Sequence, residues 1–127
     1  MGKSATLAVQ IKSRTSDAKP PKTGQYTAGM RNQTFRPRHD LFVLFAKVDL
    51  DQGSLAQAWL IPSLEVAKKI KPNKNQRIVF RASQKASSHD QWSQYRFDRP
   101  ADLAEQVLKI LDGFESLTEK QMYEKVE

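Results

Sequence analysis

The chain has 127 residues, with 21 Lys and Arg against 14 Asp and Glu for a formal charge of +7, a length that suits one domain with one modest core. Apolar residues at 39% and charged residues at 28% exclude collagen-like, low-complexity and highly charged disordered chains. With no cysteine, disulfide staples, thiolate zinc sites and Cys nucleophiles drop out.

The opening MGKSATLAVQIK has too short and too interrupted an apolar part for a signal peptide. No stretch approaches the roughly 18–20 apolar residues of a membrane span, so the expectation is a cytoplasmic chain with no membrane partner. Ala5 to Ser13 alternates, with Leu7, Val9 and Ile11 on one side and Thr6, Ala8, Gln10 and Lys12 on the other, which is the period of a strand. Residues 14–39 read as a basic loop region anchored by Tyr26, Met30 and Phe35, with a short helix near Gln25–Met30.

Leu41 to Leu50 is a nearly continuous apolar run, as expected of a strand covered on both faces. Asp51-Gln52-Gly53-Ser54 supplies turn chemistry and Leu55 to Ile61 resumes, so the pair reads as an antiparallel hairpin with Trp59 in the core. Pro62-Ser63 opens a short capped helix with Leu64, Ala67 and Ile70 inward and Lys68 and Lys69 outward. Arg77 to Ala82 is a strand with Ile78 and Phe80 on one face, and residues 83–99 are a polar loop pinned by Trp92, Tyr95 and Phe97. Pro100 begins a helix that ends at Gly113, and Ser116 with Glu119 forms the capping box of a last helix bearing Leu117, Met122, Tyr123 and Val126. The order predicts a single domain over 1–127 of α/β or α+β class, a small mixed β-sheet flanked by helices with a helical C-terminal segment over 100–127.

Charge is unevenly spread. Residues 1–39 carry Lys3, Lys12, Arg14, Lys19, Lys22, Arg31, Arg36 and Arg38 against Asp17 alone, whereas residues 100–127 carry a net −4. A one-sided basic surface raises the local concentration of polyanions and suits a phosphate backbone, and a solvated basic face that aids solubility is an equal reading of the same charge. His39 and His89 read as surface residues, because neither has a third ligand nearby. No base accompanies Ser4, Ser13 or Ser16, and Gly24 and Gly29 form no phosphate-cradling motif. Trp92 and Tyr95 sit among Lys85, Arg96 and Arg99, an arrangement that would stack bases, but packing of the loop onto the sheet explains them more simply.

Gln10 and Lys12, two apart on one strand, project from one face. An amide oxygen is a hard ligand for Mg²⁺, and an ammonium offsets charge building on a scissile phosphate. The strand ending Val9-Gln10-Ile11-Lys12-Ser13, the Asp40-led strand HDLFVLFAKVDL, the partner closing in Trp59-Leu60-Ile61-Pro62-Ser63 and the later Trp92-x-x-Tyr95 together resemble an uncharacterised branch of the PD-(D/E)xK, or restriction-endonuclease-like, nuclease superfamily over roughly residues 5–114. The resemblance implies a restriction-endonuclease-like core and, in active members, Mg²⁺-dependent phosphodiester cleavage. Gln10 and Lys12 match the family's (D/E/Q)-x-K, with Gln10 as the metal ligand.

The family's metal-binding Asp lies on the preceding strand, and no Asp or Glu stands among Met1 to Val9. The expectation is therefore a degenerate or incomplete nuclease-like domain. It would be active only with a carboxylate from an upstream segment, a partner, or a relocated Asp17, Asp40 or Asp49. Lys12, Arg14, Lys19, Lys22, Arg31, Arg36 and Arg38 are the expected contacts to nucleic acid, DNA in the first instance. An open sheet edge predicts a homodimer or a partner that completes the sheet. The alternative is a non-catalytic interaction or structural module.

Overall fold

The most apolar stretch of the chain becomes the middle of a sheet. The computed structural model describes residues 7–15, 25–49, 51–85 and 89–126. In chain order the elements are β1 (Ala8–Thr15), β2 (Gln25–Arg31), a 3₁₀ turn at Asn32–Thr34, β3 (Leu41–Asp49), β4 (Ser54–Pro62), α1 (Ser63–Lys69), β5 (Arg77–Ser83), a second 3₁₀ turn at Ser93–Tyr95, β6 (Arg96–Phe97) and α2 (Pro100–Val126). Four strands form a mixed sheet in the order β1-β3-β4-β6, with β1 parallel to β3 and the other pairs antiparallel. β2 and β5 pair separately as a two-stranded antiparallel ribbon. The architecture is thus α+β, with the expected 41–61 hairpin at its centre.

Alternation along β3 and β4 sends their side chains to two faces. Val43, Phe45, Trp59 and Ile61 share one face and are fully buried; the ribbon covers them with Tyr26, Ala28, Met30, Ile78, Phe80 and Ala82. On the other face α2 crosses, and its Gln106 and Ile110 line a cleft of about 410 Å³ with Phe42, Leu60 and Phe97. The core is aromatic: Phe45 and Phe80 stack at 4.0 Å, and Trp92 closes one side 5.3 Å from Phe80.

Several local expectations give way to tertiary packing. Gln25–Arg31 is a strand and not a helix, because Tyr26, Ala28 and Met30 are buried at every second position against the sheet. The 14–39 region is accordingly no continuous loop. Ser63 does not cap its own helix; its hydroxyl, fully buried, donates to the Arg38 carbonyl and accepts the Arg38 N–H, tying residues 35–40 to α1. α1 packs Ala67 and Ile70 against the core as expected, but Val66 is its fully buried residue and Leu64 is left 41% exposed. In the 83–99 segment Trp92 is buried and Tyr95 packs on the core, as the packing reading of that loop expects, whereas Phe97 belongs to strand β6 and not to a loop.

The two expected C-terminal helices are one. α2 runs through Gly113, which is not in the left-handed backbone region that ends helices. An internal glycine costs roughly 1 kcal/mol relative to Ala, which the flanking turns absorb. The side chains of Ser116, Glu119 and the apolar positions after them lie outside the described residues, as do Lys3, Ser4, Ala5 and Thr6. Among the described residues no helix is long and apolar enough to cross a membrane.

Where the two sheets meet, the buried Tyr26 hydroxyl donates to the carbonyl oxygens of Lys12 on β1 and Ala46 on β3, at 3.2 and 3.0 Å. Burial pushes this hydroxyl up from 10 to about 12, against the opposing pull of Arg14. Between those values the unfolded chain ionises while the folded chain keeps its proton. Stability therefore falls as pH rises through 10 and the loss is complete above about 12, by up to roughly 2–3 kcal/mol. Tyr26→Phe is expected to cost about 1 kcal/mol at pH 8 and to flatten the decline between pH 10 and 11.5, as read by urea unfolding at both ends of that interval. An undiminished decline in the variant would place the titration elsewhere.

Candidate nucleic-acid interface

β1 is paired only with β3 among the described residues, and parallel register sets Gln10 beside Val43 and Lys12 beside Phe45. Gln10 and Lys12 therefore share a face, as their spacing requires, and that face is the ribbon side of the sheet, where both are half-buried. The apolar side of β1 is the more open one, with Val9 38% and Ile11 61% exposed.

The donor set a divalent cation needs is missing around this pair. Mg²⁺ is held by one or two carboxylates together with water, and the described residues form no group of three His, Asp or Glu able to hold a metal. Asp40 is spent on Arg38. Asp49 lies six residues along β3 from Val43, about 20 Å away, and its carboxylate accepts the N–H groups of Asp51 and Gln52 in the hairpin turn. Asp17 lies outside the described residues. Gln10 and Lys12 thus do not fit a Mg²⁺ centre by themselves, and no cleavage step follows from them. His39 and His89 are exposed and isolated.

The expected phosphate contacts are divided by the fold. Arg14, at the end of β1, reaches across to donate to the Thr27 carbonyl at 2.9 Å. Arg31 stands on the outward face of β2. Arg36 is exposed and turns one N–H onto the Phe35 carbonyl, whereas Arg38 is engaged by Asp40. Lys19 and Lys22 lie outside the described residues.

Two guanidinium groups enter that the sequence reading passed over. Ribbon pairing sets Arg77 directly opposite Arg31 and Arg81 opposite Thr27. Ile78, Phe80 and Ala82 point inward from β5, so Arg77, Val79 and Arg81 must point outward. The Arg77 guanidinium lies along the ribbon over Gly29: a Cβ built at Gly29 would come within 2.9 Å of Nη2. Glycine there is what lets the side chain rest near the middle of the ribbon. At the adjoining tip, Asn73 accepts the Asn75 and Arg77 N–H groups through Oδ1 and holds a turn that carries exposed Lys74.

Among the described residues no carboxylate pairs with Arg14, Arg31, Arg77 or Arg81, although other basic side chains find one, such as Lys69 with Glu65 and Arg99 with Asp102. At the far end of the ribbon Asp90 accepts the Ser83 and Trp92 N–H groups and the Ser93 hydroxyl. Burial opposes ionisation there, but those hydrogen bonds outweigh it and hold the carboxyl below its usual range. Among the described residues this carboxylate thus stands at the Ser83 end of the ribbon, away from the Arg31–Arg77 pair. Through residue 113, α2 carries Asp102, Glu105 and Asp112 against Lys109 alone, on the opposite side of the sheet from the ribbon.

No family model, no curated protein and no solved structure matches the chain.

Proposed function

We propose that this chain binds nucleic acid through the outward face of the β2–β5 ribbon. The observation that carries the reading is the gathering of Arg31, Arg77 and Arg81 on one ribbon face, bordered by Arg14, with no carboxylate among the described residues to neutralise them. Surface cations without partners lose little by meeting phosphate, since there is no ion pair to break first. The proposal also takes in the restriction-endonuclease-like reading of the core, which is supported by a Gln10/Lys12 pair on one face of a strand in a mixed sheet. Cleavage would require a carboxylate beside that pair.

Fluorescence anisotropy of a labelled duplex against salt tests the reading. Three or four neutralised phosphates give a slope of log K on log salt of about −3 to −4, a loss of roughly a hundredfold between 50 and 200 mM. A slope near zero, or no binding at 50 mM, overturns it.

A further inference from the structure

The ribbon face has a shape as well as a charge, and the shape selects among nucleic acids. Its seven paired positions span about 20 Å, and two adjacent strands with their side chains are roughly as wide as the 12 Å major groove of B-form DNA, which admits a two-stranded ribbon. Its middle is low, because Gly29 lies opposite Val79, and the guanidinium of Arg77 lies over that saddle. Arg77, Val79 and Arg81 succeed one another on one strand over about 13 Å, a span of three to four base pairs. Their chemistry suits groove edges: a guanidinium is a two-pronged donor to guanine O6 and N7, and an apolar group sits against a thymine methyl.

The alternatives lack their own requirements on this face. Single strands are held by stacking on exposed aromatic rings, and the described ribbon face carries none; Tyr26, Phe80, Trp59 and Trp92 are all buried beneath it. Duplex RNA has a major groove too deep and narrow for a ribbon to enter.

Resting on the reading that this face binds nucleic acid, we infer that the β2–β5 ribbon docks flat in the major groove of B-form DNA. Arg77 and Arg81 contact guanine edges there, and Arg14 and Arg31 contact the flanking phosphates. The outward residues of β5 thus read the sequence and those of β1 and β2 hold the register.

The full chain is titrated at one salt concentration against four labelled ligands of one GC-containing sequence: a 16-base-pair DNA duplex, that duplex with 7-deazaguanine for guanine, the RNA duplex, and the single DNA strand. Loss of the N7 acceptor is expected to weaken binding about tenfold while leaving every phosphate in place, and the RNA duplex and single strand are expected to bind more weakly still. Arg77→Lys, which keeps the charge and loses the fork, is expected to bind the natural duplex about fivefold more weakly and to lose much of the discrimination against 7-deazaguanine.

Equal affinity for the natural, 7-deaza and RNA duplexes overturns groove docking while leaving the binding reading intact. Absence of binding to all four ligands overturns both. The ligand comparison needs no variant, so it decides the matter even where Arg77→Lys fails to fold.

Discussion

Phe80→Ala is expected to lower stability by about 3–5 kcal/mol. Phe80 is fully buried, stacks on Phe45 at 4.0 Å with the rings nearly parallel, and lies 5.3 Å from Trp92, 5.7 Å from Trp59 and 6.0 Å from Tyr26. It therefore meets rings of the β3–β4 hairpin, the paired strand β2 and the 90–95 segment together. Truncation removes its burial, leaves a cavity that rigid aromatic neighbours fill poorly, and dissolves ring pairs worth about 0.5–1.5 kcal/mol each beyond their area.

Natural domains have only about 5–15 kcal/mol in hand, so the variant stands near its unfolding limit, with a melting temperature lowered by roughly 10–20 °C. Ile11→Ala is the control. Ile11 is as apolar but 61% exposed on β1, and its loss is expected to stay within about 0.5 kcal/mol. Equal melting shifts for the two variants would mean that the ribbon is not packed on the sheet as described.

The same packing explains which parts of the molecule are legible in its sequence. The hairpin is readable because its strands are contiguous apolar runs joined by turn residues at 51–54, so neighbours in sequence are neighbours in space. The ribbon is not, because β2 and β5 are separated by the whole hairpin and α1, and only long-range pairing makes them one surface. Tyr26, Ala28 and Met30 do alternate with polar residues, but small Ala28 and Gly29 mute the signal that would have marked a strand.

The candidate site inherits this division. Counting charge along the chain finds Lys12, Arg14 and Arg31, which fall in the basic first third. It overlooks Arg77 and Arg81, because their run, with seven basic and no acidic residue between Glu65 and Asp90, is averaged with the acids on either side when residues 40–99 are counted together, and only alternation puts the two on the face away from Ile78 and Phe80. Summing charge by face, once the strand at 77–82 is recognised, is the step that would have found them. Arg38 fails for the opposite reason: it is basic in sequence but its charge is answered locally by Asp40.

Reversing the ribbon's charge is expected to have the largest effect on binding. In the triple variant Arg31→Glu, Arg77→Glu and Arg81→Glu, three cationic contacts to the duplex are lost and three repulsions are introduced on one face. Duplex affinity at 100 mM salt is expected to fall by at least about a thousandfold, with the salt slope collapsing toward zero. The matched control is Lys68→Glu, Arg99→Glu and Lys109→Glu, whose positions lie on or beside the helices. Each triple lowers the net charge by six from +7, so long-range attraction is reduced about equally. Local contact is the difference between them. The helical triple is expected to weaken binding less than about tenfold while keeping most of the salt slope, and its surface ion pairs cost at most about 1 kcal/mol of stability apiece. Equal losses from both triples would reduce the interaction to net charge and remove the ribbon as its seat, whereas a selective loss ties binding to the face that only the pairing of β2 with β5 creates.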